Sequence, residues 1–214
     1  MRLALIKRKI LNAGALWLSQ LKLIPSLLRL NKNSVVIDCG ANVGHITSLL
    51  ASTGATVYAF EPDPVAFNLL QKRVGNKKNV IAIKKGVWDR NTFLSLYRHK
   101  EGQKNEAAFT VGSSIMQNKI NVDADASKAE QIEVIDLVEF INKLGKRVSL
   151  VKLDVEGAET EILKKILLTD TYKLFERMFV ETHETKIPEQ KEVLMQIKKE
   201  MSVKGVSNIK LNWL

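Results

Sequence analysis

The chain has 214 residues, 45% of them hydrophobic and 26% charged, which is ordinary globular material for one domain with a substantial core. A single cysteine, Cys39, excludes an internal disulfide and any cysteine-based metal cluster, and fits a reducing, cytoplasmic compartment. The formal charge of +10, from 33 Lys and Arg against 23 Asp and Glu, is spread along the chain. It favours anionic partners such as nucleic acid, an acidic glycan or a membrane surface, set against the plainer reading of a solvated lysine-rich surface.

Residues 1–30, "MRLALIKRKILNAGALWLSQLKLIPSLLRL", are predicted as an N-terminal amphipathic helical extension of one or two helices, broken near Pro25. Lys, Arg, Asn and Gln interrupt its apolar runs, so it offers neither a signal-peptide core nor the roughly 18 to 20 apolar residues of a transmembrane segment. Peripheral membrane contact, dimerisation and packing on the domain are its three uses, and packing fits best. Oligomeric state stays open.

Residues 31–214 alternate between strand and helix patterns. Strands are predicted at Ser34–Asp38, Thr56–Glu61, Val80–Lys84, Arg147–Asp154 and Met178–Thr182, and helices at Gly44–Ser52, Pro64–Val74, Ala158–Leu168 and Glu189–Val203. Four of the strand runs are short and continuously apolar, as parallel strands covered on both faces should be, and a doubly wound α/β sheet follows. Arg98–Gln131 is polar and nearly patternless, and its length marks it as a flexible loop or lid beside the site.

The stretch "VIDCGANVG" ends a strand at Asp38 and turns through Gly40, Asn42 and Gly44 into an amphipathic helix. Gly40 lets the backbone approach a ligand without a Cβ, Asn42 tolerates a left-handed conformation, and Gly44 allows close packing of helix and strand. It lacks the Gly-Lys-Ser/Thr ending of a P-loop and the Gly-x-Gly-x-x-Gly of a dinucleotide fold. In "VYAFEPDP", Glu61 tips the next strand, where an acid accepts the two hydroxyls of a ribose, while Asp63 and Pro64 read as the cap and first residue of a helix.

Together with "KKGVWD", "GSSI", "LVKLDVEGAETEIL" and "VETHE", in that order, these motifs resemble the FkbM family of S-adenosylmethionine-dependent methyltransferases from about Ser34 to His183. The resemblance implies the Rossmann-like class I methyltransferase fold, a seven-stranded mostly parallel sheet whose last strand is antiparallel, with helices on both faces. It implies S-adenosylmethionine as cofactor, with Asp38, Gly40 and Asn42 lining the methionine and sulfonium end, Glu61 on the ribose, and Trp88 a candidate wall for the adenine. Gly44 and Asp154 complete the cofactor set.

The chemistry is expected at two further strand ends. In "SLVKLDVEG", alternation puts Lys152, Asp154 and Glu156 on one side, an expensive arrangement at a buried strand end unless something pairs with it. Asp154 is the candidate acid or base that orients the acceptor, and Glu159 reads equally as a helix-start acid or a catalytic one. In "MFVETHE", Glu181 and His183 share a side, and His183 is a candidate general base because imidazole titrates near neutrality. Asp154, Glu181 and His183 could alternatively hold a divalent metal; the metal-free version ranks higher, since the carboxylate pair of metal-dependent sugar O-methyltransferases is absent here. Ser114 is a weaker candidate, and His45 divides evenly between ligand side and surface.

The expected function is O-methylation of a hydroxyl on a glycan or small natural-product acceptor. The alternatives are methylation of a ribose 2′-hydroxyl in RNA, supported by the net charge and the Lys152 and Asp154 pair, and a non-catalytic cofactor-binding scaffold. No Asn-Pro-Pro-Tyr motif follows the fourth strand for an amine, and Cys39 lies in the turn rather than where a covalent attack on a pyrimidine would need it.

Overall fold

The computed structural model describes residues 22–97, 113–115, 122, 125 and 129–211. After helical residues 22–27 come β1 (Val35–Cys39), α1 (His45–Ala51), β2 (Thr56–Phe60), α2 (Pro64–Val74), β3 (Val80–Ile83), β4 (Gly86–Trp88) and β5 (Thr92–Leu96). Then follow β6 (Glu130–Asp136), α3 (Leu137–Lys143), β7 (Leu150–Leu153), α4 (Glu159–Leu168), a 3₁₀ turn at Thr171–Leu174, β8 (Met178–Val180), α5 (Gln190–Val203) and β9 (Ile209–Lys210).

β1 and β7 are buried at every position because they form the middle of a six-stranded sheet in the order β3-β2-β1-β7-β8-β9. All five pairings are parallel, and the register sets Asp38 beside Ala59 of β2 on one side and Lys152 of β7 on the other. Alternation along β1 sends Val35 and Ile37 to one face and Val36 to the other. Val36 packs with Leu23, Ile46, Leu50 and Phe179 under the 22–27 helix and α1, while the opposite face carries α3, α4 and α5 through Ile141, Ile162, Leu163, Ile166 and Ile197. The last strand of this sheet differs from expectation: β9 pairs with β8 in parallel, and no antiparallel strand joins the sheet among the described residues.

α2 begins where the sequence places it. The Asp63 carboxylate accepts from the backbone N–H groups of Val65 (2.8 Å) and Ala66 (3.1 Å), and Pro64 fills the first helical position, where no N–H is needed. The nine predicted strands and helices all exist, with ends shifted by up to three residues.

The second sheet has no counterpart in the sequence reading. β4, β6 and β5 form a three-stranded sheet in that order, with β6 parallel to β4 and antiparallel to β5. Its buried positions alternate, Ile132 and Val134 on β6 with Leu96 on β5, so the predicted loop ends before Gln131, which is already paired with Ser95. α3 follows at once, capped by the Asp136 carboxylate on the Glu139 N–H. Lys165 of α4 reaches the Asp89 carbonyl (2.6 Å) and the Asp136 carboxylate, tying this sheet to the main one.

The predicted extension at 1–21 and most of the predicted lid at 98–131 lie outside the described residues. Leu23, the buried start of the described chain, packs on the domain. Residues 22–27 are helical through Pro25, without the expected break there. No described helix is long and apolar enough to cross a membrane.

Candidate active site

The turn after β1 uses three left-handed residues, Gly40 (φ +75°), Asn42 (φ 48°) and Gly44 (φ +83°). The N–H groups of Gly40 and Ala41 both donate to the Phe60 carbonyl, at 3.0 and 2.9 Å, which folds the turn across the end of β2. A Cβ on residue 40 would lie 1.8 Å from the main-chain oxygen of Asp154. Glycine is needed there for the crossing with the end of β7, not only for a ligand. At residue 44 a Cβ would meet Leu70 Cδ1 at 2.6 Å, so this glycine serves the approach of α1 to α2 rather than to a strand.

Asp38 is a correction. It does not line the cleft but is fully buried beneath the turn, where Oδ2 accepts from Thr47 Oγ1 at 2.7 Å and Oδ1 has only the Lys152 ammonium, 3.4 Å away. Lys152 is buried too. It donates to the Gly40 carbonyl at 2.6 Å and pairs with Asp154 Oδ2 at 3.2 Å, joining the turn, β1 and the end of β7 through one cation. Burial disfavours that charge, but Asp154 and Asp38 outweigh it and raise the lysine's pKa above its ordinary value. Lys152 is therefore a positioning residue and not a proton acceptor. The Cys39 thiol is pushed up by burial and by Asp38, and stays protonated.

Glu61 sits where predicted, at the tip of β2. Oε2 accepts from the Asn42 N–H at 2.7 Å and Oε1 from the Asp63 N–H at 2.9 Å, leaving each oxygen capacity for a further donor. Burial raises its pKa to about 8 against the pull of those two N–H groups. It opens on a cleft across the carboxyl ends of β1, β2 and β7. Its lining combines the polar Asn42, Glu61, Asp63, Asp154 and Glu156 with the apolar Leu96, Ile115, Ile132 and Val134. Leu96, Ile132 and Val134 of that apolar lining come from the second sheet, which the sequence reading missed; the alternation Ile132–Val134 was the available signal. Ser114 enters the lining as well, through a bridge to Tyr97 and a hydrogen bond from its hydroxyl to the Glu156 carbonyl at 2.5 Å.

Trp88 is a second correction. It packs into the apolar clusters between the sheets, and Gly86 and Val87 of the same motif line the cleft in its place. The expected alternation of Lys152, Asp154 and Glu156 stops at Leu153, where β7 ends, and Glu156 turns with φ 58°. Asp154 and Glu156 face the cleft while Lys152 lies beneath it.

His183 is a third correction. It is buried outside the cleft lining, with Nδ1 3.0 Å from Glu159 Oε1 and Nε2 3.0 Å from Glu156 Oε2 and 3.7 Å from Glu181 Oε1. Burial opposes its charge, but the carboxylates of Glu156 and Glu159 prevail and raise its pKa to about 10. A ring already protonated at neutral pH is no general base. Glu181, half-buried next to it, has its pKa raised to about 8 by burial and by Asp154. Glu159, the first residue of α4, accepts from the N–H groups of Val155 (3.0 Å) and Gly157 (2.9 Å) in the loop before the helix rather than capping the helix itself. Among the described residues, Asp154, Glu159 and His183 bring one donor atom each within 4.8 Å of one another and could hold a metal.

An open parallel sheet with this turn and an acid-tipped second strand is the fold of the Rossmann-like class I methyltransferases. The methyltransferase FkbM domain matches residues 38–205, and the chain belongs to that family of enzymes. Two curated relatives are similar to it: "Methyltransferase 1" of Beauveria bassiana, 26% identical over 166 residues, and "31-O-demethyl-FK506 methyltransferase FkbM" of Streptomyces tacrolimicus, 27% identical over 157. The matches cover 72% and 64% of this chain and 66% and 60% of the relatives' own length. Among solved structures, the METTL16 MTase domain is 16% identical with a TM-score of 0.46, covering 91% of this chain and 58% of that one, a likeness too loose to carry an argument.

Proposed function

We propose that the chain transfers a methyl group from S-adenosylmethionine to a hydroxyl of a glycan or small natural-product acceptor. The observation that carries the cofactor half is Glu61, a buried carboxylate held by two backbone N–H groups with its remaining lone pairs toward the cleft. A vicinal diol such as a ribose suits such a carboxylate, and the residues present fit that cofactor. When bound, the cofactor supplies an electrophilic methyl group on a sulfonium.

This chain's residues then have to aim an acceptor and take its proton. Asp154, in the lining of the cleft and held by Lys152 at 3.2 Å, orients the hydroxyl and accepts the proton. The wall of Leu96, Ile115, Ile132 and Val134 excludes water and suits the apolar rings of an acceptor better than a phosphate backbone. The relative from Streptomyces tacrolimicus, named for an O-demethyl substrate, supports an oxygen acceptor of the natural-product class.

The test is calorimetric titration of S-adenosylmethionine and S-adenosylhomocysteine into the protein and its Glu61→Ala variant, followed by mass spectrometry of a panel of glycan and natural-product hydroxyl acceptors. Binding abolished by the substitution and a methylated oxygen on an acceptor support the reading. No binding by the folded wild type refutes it.

A further inference from the structure

Beside the cofactor end of the cleft lies a group of side chains that the scheme above leaves unused. Asp154, Glu156, Glu159 and Glu181 converge on His183, with Lys152 shared between Asp154 and Asp38 and Lys186 3.9 Å from Glu156. Four carboxylates gathered around one imidazole, two of them in the cleft lining, can take a cation in place of the ring's proton.

The ring of His183 shows where it goes. Nδ1 is 3.0 Å from Glu159 Oε1, itself fixed by the Val155 and Gly157 N–H groups. A carboxylate accepting from one ring nitrogen is the arrangement that orients a histidine to offer the other nitrogen to a metal. That other nitrogen, Nε2, is buried without a hydrogen-bond partner, and Glu156 Oε2 stands 3.0 Å from it as a charged neighbour. Glu156 Oε2 and Glu181 Oε1 lie 3.0 and 3.7 Å from that nitrogen, and Asp154 and Glu159 each bring a carboxylate oxygen within 4.8 Å of a ring nitrogen, close enough to share one small cation. Glu156 reaches this place by a left-handed turn (φ 58°), held by the Ser114 hydroxyl on its carbonyl.

The geometry points to a divalent cation site of the Mg²⁺ or Mn²⁺ class formed by His183 Nε2 and the carboxylates of Glu156, Glu181 and Asp154, with Glu159 as the positioning residue behind the histidine. One nitrogen among carboxylate oxygens is a donor set for a hard to borderline ion, not for a thiophilic one. Asp154 and Glu156 line the cleft, so an ion held by them presents open coordination positions to the acceptor side. An ion held there would lower the pKa of an acceptor hydroxyl placed beside it, and the proton would pass to water. This last step deepens the proposed O-methyl transfer and rests on it; the cation site itself does not.

The experiment is titration of Mn²⁺ into the chelator-stripped full chain, followed by electron paramagnetic resonance of free Mn²⁺. Expected is one ion per chain, with affinity reduced at least tenfold in Glu181→Gln and in Glu156→Gln and about 10- to 100-fold in Glu159→Gln. Glu161→Gln, on an exposed residue of α4 paired with Lys164, should leave affinity unchanged. S-adenosylhomocysteine binding, followed in parallel, shows that each variant is folded. Absence of Mn²⁺ binding at millimolar concentration, or binding undiminished in both Glu156→Gln and Glu181→Gln, overturns the site. Mn²⁺ binding that depends on these residues in a protein that binds no S-adenosyl ligand would uphold the site and sink the methyl-transfer reading instead.

Discussion

The pH dependence of cofactor affinity tests whether Glu61 is the ribose acceptor. A carboxyl with a pKa near 8 is neutral at pH 6, with about 1% ionised, and mostly ionised at pH 9. A diol donating two hydrogen bonds prefers the ionised form, so binding displaces the proton and affinity should rise about tenfold per pH unit up to pH 8, then level off. From pH 6 to pH 9 the dissociation constant of S-adenosylhomocysteine should therefore fall about 100-fold, with uptake of one proton by the buffer in calorimetry. Glu61→Gln removes the titration. Its amide N–H₂ would also face the N–H of Asn42 or Asp63, donor against donor, which costs about 1–3 kcal/mol of affinity at pH 9. For the free protein the sign reverses: Glu61's folded pKa is raised above its unfolded value, so its stabilising contribution is present below about pH 4.5 and is lost as pH rises through 8. Wild-type affinity that is flat between pH 6 and 9, or a Glu61→Gln variant that keeps the slope, would refute the assignment.

Other substitutions probe the frame of the site. Gly40→Ala drives a methyl group into the Asp154 carbonyl with no side chain to give way, and should lower stability by about 3 kcal/mol or more in urea denaturation; Gly145→Ala, also at positive φ but in open space, should cost only about 1–2 kcal/mol. Equal losses at the two positions would show that the β7 crossing is slack. Lys152→Met strands buried Asp38 and should cost about 3–5 kcal/mol, much of it recovered in the double variant Lys152→Met with Asp38→Asn. Recovery absent in the double variant would mean that Lys152 acts through the Gly40 carbonyl instead. Ser114→Ala should raise the KM for acceptor several-fold while leaving S-adenosylhomocysteine affinity unchanged, since its hydroxyl holds the loop at Glu156.

What the sequence made legible was whatever local chemistry decides. The apolar runs of β1 and β7 could only be covered strands, and Asp63 followed by Pro64 could only start a helix, because one carboxylate and one missing N–H settle both. The positions of Gly40, Asn42 and Glu61 followed from the same turn. Asp38 and Lys152 were misplaced for the opposite reason: their pairing depends on the register of β1 against β7, which no local pattern reports. His183 was mistaken for a base because its carboxylate neighbours come from a different strand end and helix start. The second sheet was missed because β5 and β6, although antiparallel partners, are separated by the long polar stretch between them, and each is only half-buried, without the continuous apolar run of β1 or β7.

That separation has an evolutionary meaning. Leu96 and Glu130 are register partners, so the chain leaves the small sheet and returns to it at a single rung. Whatever is threaded between those two points can be lengthened, shortened or exchanged at an entropic cost that grows only with the logarithm of its length, while the β1 turn, Glu61 and Lys152 stay where the large sheet puts them. The domain thus has a natural grafting point: acceptor preference can drift by recombination at residues 97–129 without renegotiating the half of the cleft assigned to the methyl donor.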